Sequence, residues 1–145
     1  MSWTVAPETV ATGYGASVID FVAVSGGLTF TAGQTLGFVT VQTKGDDAYV
    51  GSPSFSLAAQ AYPHIEIRMA VSAGNLAQVY FITASDQNYN EAKVLPFSVR
   101  ADGQFHTYTL DMSTVATWVE TISQIRIDPT NARGSVRIDY IRILP

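Results

Sequence analysis

The sequence predicts an all-β protein, a two-sheet antiparallel β-sandwich of the jelly-roll kind. Three observations lead to this prediction. Apolar and polar residues alternate along many short segments, turn-forming residues separate these segments at similar intervals, and the chain ends inside an alternating run. A strand that ends so close to the last residue must be held by a neighbouring strand, so we expect the chain to finish within a sheet.

Ten segments are predicted to form strands. In chain order they are Val18–Val24, Leu28–Ala32, Gly37–Thr43, Tyr49–Gly51, His64–Ser72, Gln78–Ala84, Lys93–Val99, His106–Met112, Ile122–Asp128 and Ser135–Leu144. Glycine-containing turns such as Ala73–Asn75 and Ala101–Gly103 separate them. Helix is expected only as single turns at Leu57–Ala61 and Ser113–Trp118, with Ser113 as the cap of the second, because both segments are too short to be stable alone.

The last two segments are rich in β-branched residues and are joined by a loop of Asn, Arg and Gly, a pattern typical of an antiparallel strand pair. Alternation along the strands assigns their apolar residues to the core and their polar residues to the opposite face. The polar faces are predicted to form one sheet surface, either solvated or binding a ligand, that bears Glu66, Arg68, Thr109, Gln124 and Arg126.

Composition limits the possible functions. With 145 residues and 47% hydrophobic content, the chain is expected to form a single module over residues 1–145 with a core of its own. The net charge of −4 argues against nucleic acid as a partner, because phosphates require a clustered basic surface. Cysteine is absent, so disulfides and thiolate metal sites are excluded. No apolar run reaches the length of about 20 residues that spans a bilayer, and we expect no membrane partner.

The C-terminal stretch from Trp118 to Ile143, together with Asp47–Pro53 and Tyr62–Met69, resembles non-catalytic carbohydrate-binding modules of the galactose-binding-like β-sandwich type. Such modules accompany bacterial polysaccharide-degrading enzymes, and the resemblance runs from about Gly26 to Ile143. It implies a polysaccharide or oligosaccharide ligand, a neighbouring catalytic domain in a larger parent protein, and an extracellular location. The N-terminus lacks a basic segment followed by an apolar one, so a secretory signal is expected outside this sequence.

Sugar sites combine planar polar side chains, which pair with hydroxyls, with aromatic rings that pack on C–H faces. The loop that follows Gln78–Ala84 supplies this mixture. We therefore predict a site on the polar sheet face at Arg68 and Arg126, oriented by acidic neighbours and bordered by the loop. The predicted ligand-binding residues are Arg68, Arg126, Tyr89, Gln87, Asn88, Asn90, Glu66 and Tyr80. The alternatives are that the loop is only a long polar turn and that the arginines form cross-strand ion pairs with Glu66 and Asp128.

Calcium is the one metal that the resemblance implies. In related modules a carboxylate from the last strand joins loop oxygens around a structural calcium ion. By this resemblance, Asp139 would supply the carboxylate from the last strand. Asp47, Asp46 or Glu8 would supply a carboxylate from a loop or from the N-terminal region. The alternative is that Asp139 only accepts a hydrogen bond or caps a bulge in the strand.

Catalysis has little support in the sequence. No serine lies in a Gly-x-Ser-x-Gly pattern, and His106 and Tyr108, which a polysaccharide lyase would use as base and acid, share a strand face with Leu110 and Met112. Buried packing is the expected role of that face. The leading hypothesis is non-catalytic polysaccharide binding that targets an attached glycoside hydrolase or lyase to its substrate. The alternative is a spacer sandwich that mediates packing between domains.

Overall fold

The computed structural model describes residues 2–4, 22–23, 28–33, 38–43, 49–52 and 54–145. Almost all regular structure within these residues is strand. The strands are β1 (Ser2–Thr4), β2 (Val22–Ala23), β3 (Leu28–Gly33), β4 (Phe38–Thr43), β5 (Val50–Gly51), β6 (Leu57–Ala58), β7 (His64–Val71), β8 (Leu76–Thr83), β9 (Val94–Ser98), β10 (Phe105–Asp111), β11 (Thr121–Asp128) and β12 (Gly134–Leu144).

These strands form two sheets, and all strand pairs within each sheet are antiparallel. The first sheet has the order β10-β7-β12-β4-β3, with β1 also paired to β12. The second sheet has the order β2-β5-β11-β8-β9, with β6 also paired to β11. The predicted two-sheet β-sandwich is therefore confirmed, and most predicted strands lie within one or two residues of the observed ones.

The prediction that the last two strands pair with each other is wrong. β11 belongs to the second sheet and β12 to the first, so the loop between them crosses from one layer to the other. Both strands are interior strands with neighbours on each side, and this explains why both are rich in β-branched apolar residues. The short loop between β11 and β12 favoured a hairpin in the sequence analysis. In the structure the two strands face each other across the core, one from each sheet.

The core lies between the sheets and consists mainly of aliphatic side chains from β7, β8, β11 and β12. The largest fully buried side chains of these strands are Ile65, Ile67, Met69, Phe81, Ile122, Ile125, Ile127, Ile138, Ile141 and Ile143. Along β11 and β12 successive buried apolar residues are two positions apart, except for one step of three positions in each strand. These steps run from Ile122 to Ile125 and from Ile138 to Ile141. Each step coincides with a register shift typical of a β-bulge, which returns the following residues to the core face.

The expected helical turns are single 3₁₀ turns at Ala59–Ala61 and Met112–Thr114. The expected cap Ser113 is wrong, because the Asp111 side chain caps this turn by accepting from the Ser113 backbone N–H. Trp118 connects the first of these turns to the core. Its indole N–H donates to the Ala59 carbonyl at 3.1 Å, and its ring packs edge to face against Phe81. Among the described residues, no helix is long and apolar enough to cross a membrane.

We expect Phe81→Ala to lower the free energy of unfolding by about 3–5 kcal/mol, because it leaves a cavity in a fully buried position against Trp118. Leu76→Ala is the matched control in the same strand. Leu76 is 38% exposed, and its loss should cost roughly 0.5 kcal/mol or less. Urea unfolding of the two variants checks the expectation, and equal losses would contradict the core assigned to β8.

Candidate functional site

The structure separates the two arginines that were predicted to share one polar face. Arg68 lies on β7 in the first sheet and Arg126 on β11 in the second. Both strands turn their isoleucines into the common core, so the two guanidinium groups are on opposite outer faces of the sandwich. The prediction of a common groove is wrong, because the polar residues of a sandwich form two separate outer surfaces.

On the first sheet, Arg68 forms an ion pair with Asp139 at 2.8 Å and lies 4.6 Å from the centroid of the Phe105 ring. Glu66 pairs with Arg142 at 3.5 Å. The expected partner of Arg68 was Glu66, but the bulge in β12 brings Asp139 to Arg68 instead. The side chains of this pair are about one-third exposed, so the pair contributes little to stability, as is usual for surface ion pairs.

On the second sheet, Arg126 is the centre of a tyrosine cluster. Its guanidinium carbon lies 4.2 Å from the ring centroid of Tyr80, 4.3 Å from that of Tyr49 and 5.4 Å from that of Tyr89. Its Nε and Nη2 both donate to the Asp128 carboxylate at 2.9 Å. Arg126 thus forms a bidentate pair within its own strand, not the expected cross-strand one, and holds three aromatic rings by cation–π contacts. We call these four residues with Asp128 the tyrosine cluster.

The tyrosines of the cluster differ in exposure. Tyr80 is 6% exposed and donates its hydroxyl to Glu91 at 2.8 Å. Desolvation by burial, followed by the hydrogen bond to Glu91, raises the pKa of Tyr80 to about 12. Desolvation also raises the pKa of Tyr89 to about 12. Tyr49 and Tyr89 are both partly exposed. The cluster therefore presents two accessible rings above a buried third, and the phenols of Tyr80 and Tyr89 are neutral at physiological pH.

The loop between β8 and β9 carries Tyr89 to the cluster. Lys93 is buried at its base and donates to the carbonyl oxygens of Asp86 and Asn88 at 2.6 Å and 2.5 Å. Its ammonium also pairs with the Asp86 carboxylate at 2.9 Å. The hydrogen bonds from Lys93, and then from Asn90, lower the pKa of Asp86 to about 2. The loop is thus an element ordered by its own hydrogen bonds.

The remaining predicted loop residues divide into two groups. Gln87 and Asn88 are exposed on the surface of the loop. Asn90 belongs to the loop itself, since its amide donates to the Asp86 carboxylate and accepts from the Ala92 N–H. The Asn90 side chain is therefore occupied in shaping the loop.

Sequence reasoning underestimated Tyr49, which was considered only as a rim residue. Its position directly before the short strand β5, which pairs with β11, brings it to Arg126. The signal that was available in the sequence is the place of this tyrosine at the start of a predicted short strand.

Asp139, the first predicted calcium ligand, is engaged in an ion pair within the described part of the chain. One oxygen of its carboxylate accepts from the Arg68 guanidinium at 2.8 Å. Within the described part of the chain, no three acidic or histidine side chains gather as a metal-binding group. Asp47, the second predicted ligand, and the alternatives Asp46 and Glu8 lie outside the described residues. Calcium stays a prediction from the resemblance.

No protein-family model matches the sequence, and no curated protein is significantly similar to it. Solved structures do match. A mutant family 29 carbohydrate-binding module complexed with cellulohexaose has a TM-score of 0.63 and 13% identity, over 98% of this chain and 89% of that one. The C-terminal family 6 module of LamC, a laminarinase from Zobellia galactanivorans, has a TM-score of 0.59 and 16% identity over 100% of both chains.

A third match is a low-affinity xylan-binding module of family 86 from Roseburia intestinalis, with a TM-score of 0.54 and 11% identity over 83% of this chain and 86% of that one. All three neighbours are carbohydrate-binding modules. At these identities the match concerns the fold, and it shows that the chain has the β-sandwich fold of carbohydrate-binding modules. The fold expected from the resemblance is thereby confirmed.

We expect Asp139→Ala to lower the free energy of unfolding by about 1 kcal/mol or less, because it removes one partly exposed ion pair. If Asp139 serves only in this ion pair, the loss is the same in a chelator and in added calcium. Thermal unfolding of the wild type and the variant under both conditions checks this. A wild-type melting temperature that rises with calcium, and a variant that does not respond, would establish Asp139 as a calcium ligand.

The lowered pKa of Asp86 predicts an acid sensitivity of the loop. Its folded-state pKa of about 2 lies below the value of 3.8 for a free carboxyl, so its stabilising contribution is present above about pH 4 and is lost as the pH falls towards 2. We expect the wild type to lose more stability than Asp86→Asn between about pH 5 and pH 2. Urea unfolding measures this difference, and parallel losses would contradict it.

Proposed function

We propose that this protein binds a polysaccharide or oligosaccharide without catalysis, on the outer face of the second sheet at the tyrosine cluster. The observation that carries the proposal is the assembly of Tyr49, Tyr80 and Tyr89 around one guanidinium, with two of the rings accessible. Exposed amides of Gln87 and Asn88 lie on the same loop as Tyr89. Rings for C–H faces and amides for hydroxyls are the two components that a sugar site needs.

The role of Arg126 in this proposal differs from the predicted one. Two of its donor atoms are already bound to Asp128, and its flat face is packed among tyrosine rings. Arg126 therefore orients the rings, and its fork is not directed at the ligand. Tyr80 is nearly buried and supports the cluster from below, so the contacts to sugar come from Tyr49, Tyr89 and the loop amides.

The charge around the cluster favours an uncharged sugar. Two cations, Arg126 and Lys93, are set against the three carboxylates of Asp86, Glu91 and Asp128, which leaves a net charge of −1 among these groups. A sugar carboxylate would meet this net negative charge and would find Arg126 already paired. Neutral hydroxyl groups carry no such penalty.

The comparisons support a sugar ligand of this kind. One structural neighbour is complexed with cellulohexaose, one is a xylan-binding module, and one comes from a laminarinase. By the same analogy we propose that the module belongs to an extracellular parent protein and targets a neighbouring catalytic domain to its polysaccharide. The alternative, a spacer that packs between domains without binding sugar, gives a different result in the experiment below.

We expect Tyr89→Ala to weaken binding to a neutral polysaccharide by about 1–3 kcal/mol, because the substitution removes an apolar ring surface from the contact. Stability should change by roughly 1 kcal/mol or less, the contribution of one cation–π contact. Isothermal titration against cellulosic, xylan and laminarin oligosaccharides measures the affinity, after a thermal-shift screen selects the ligand.

Arg68→Ala is the matched control, since it removes a guanidinium beside an aromatic ring on the opposite face. Its affinity should equal that of the wild type. A loss of binding in Arg68→Ala with normal binding in Tyr89→Ala would move the site to the first sheet. A wild type that binds none of the glycans would favour the spacer.

A further inference from the structure

The most deeply buried charge among the described residues belongs to a group that the proposed function does not use. Lys93 has only 3% of its side chain exposed. Burying an ammonium group is costly unless all of its donors are satisfied and its charge is compensated. A lysine at the end of a surface hairpin loop does not need to be buried, because its long side chain can reach water. The burial of Lys93 therefore requires an explanation.

The surroundings of the Lys93 ammonium have the composition of a cation site. Its three N–H donors face three oxygens, namely the two main-chain carbonyls of Asp86 and Asn88 and one carboxylate oxygen of Asp86. Loop carbonyls plus a carboxylate are the oxygen set that hard cations select in proteins. Here a tethered ammonium supplies the positive charge from within the chain.

This arrangement controls the position of Tyr89. The two carbonyls that bind the ammonium belong to the residue just before Tyr89 and to Asp86, three residues before it. On the other side of Tyr89, Asn90 donates to the same Asp86 carboxylate. The Lys93 ammonium thus fixes the backbone on which the Tyr89 ring is carried to Arg126.

We propose that Lys93 is a positioning residue for the sugar site, an internal cation that replaces a bound metal ion in holding the Tyr89 loop. The inference rests on the proposed function, because its consequence is measured as glycan affinity. Lys93 touches no ligand in this proposal. It acts through the loop backbone, by keeping the Tyr89 ring and the exposed amides in the geometry that fits the sugar.

The experiment compares Lys93→Ala with Lys93→Met, with and without propylammonium. The alanine variant lacks three methylenes and the ammonium, and propylammonium has the three carbons and the N–H donors that fill this space. The methionine variant fills the channel with an uncharged chain and leaves no room for the added cation. Tetramethylammonium controls for ionic strength, because it is a cation without N–H donors.

We expect both variants to bind the neutral glycan at least about tenfold more weakly than the wild type, a change of about 1.4 kcal/mol in binding free energy. Propylammonium should restore most of the affinity of Lys93→Ala and raise its melting temperature. It should leave Lys93→Met and the wild type unchanged, and tetramethylammonium should rescue neither variant. If Lys93→Ala is unfolded alone, propylammonium should restore its folding.

Wild-type affinity in Lys93→Met or in folded Lys93→Ala would overturn the proposal while leaving the proposed function intact. Rescue that is equal with tetramethylammonium would also overturn it, since the site would then not require an N–H donor. If the wild type binds no glycan, the proposed function fails, and the melting temperatures still decide whether the loop holds a cation site. In that case, if propylammonium does not raise the melting temperature of Lys93→Ala, the cation site in the loop is rejected.

Discussion

The burial of two facing rows of aliphatic side chains is the constraint on which the rest of this structure depends. Ile65 and Ile67 from one sheet, and Ile125 and Ile127 from the other, are fully or almost fully removed from water. Each such side chain contributes about 1.5–3 kcal/mol when buried. Because strand side chains alternate, this burial also sends every intervening residue outward. The position of Arg126 between Ile125 and Ile127 is thus a consequence of the core, and the tyrosine cluster is built on a rigid support.

The pairing of Arg126 with Asp128 makes this cluster an integral part of the fold. The Asp128 side chain is 8% exposed, and removing its partner would leave a nearly buried carboxylate without its bidentate donor. Such a loss typically costs about 3–5 kcal/mol. Loss of glycan binding after a change at Arg126 would therefore mix altered ring positions with lowered stability. Tyr89 lies at the edge of the cluster and separates the two effects, because only a ring contact and no charge depends on it.

The sequence predicted the strands and their core faces better than it predicted the site. Alternation identified the strands and their core faces, and it contained the two bulges as single changes in the spacing of isoleucines. Alternation does not predict which strands lie in the same sheet. For that reason Arg68 and Arg126 were placed on one surface, although β7 and β11 lie in different layers. Tyr89 and Tyr80 do lie beside Arg126, because β8 pairs with β11 in the second sheet and the loop that follows β8 carries Tyr89. Lys93 was missed, because a lysine near a turn is normally solvated.

The two charged residues at this end of the second sheet act in complementary ways. Arg126 presents a flat, weakly hydrated cation that can lie against several rings, whereas Lys93 presents a compact ammonium that fits a pocket of oxygens. The first fixes the rings from the strand, and the second fixes the loop from its base. A sugar ligand gains only modest energy from each stacking contact and hydroxyl pair, so it binds usefully only where these groups are already ordered. Ordering by internal cations supplies that condition, because Arg126 and Lys93 hold the rings and the loop while neighbouring carboxylates compensate their charges.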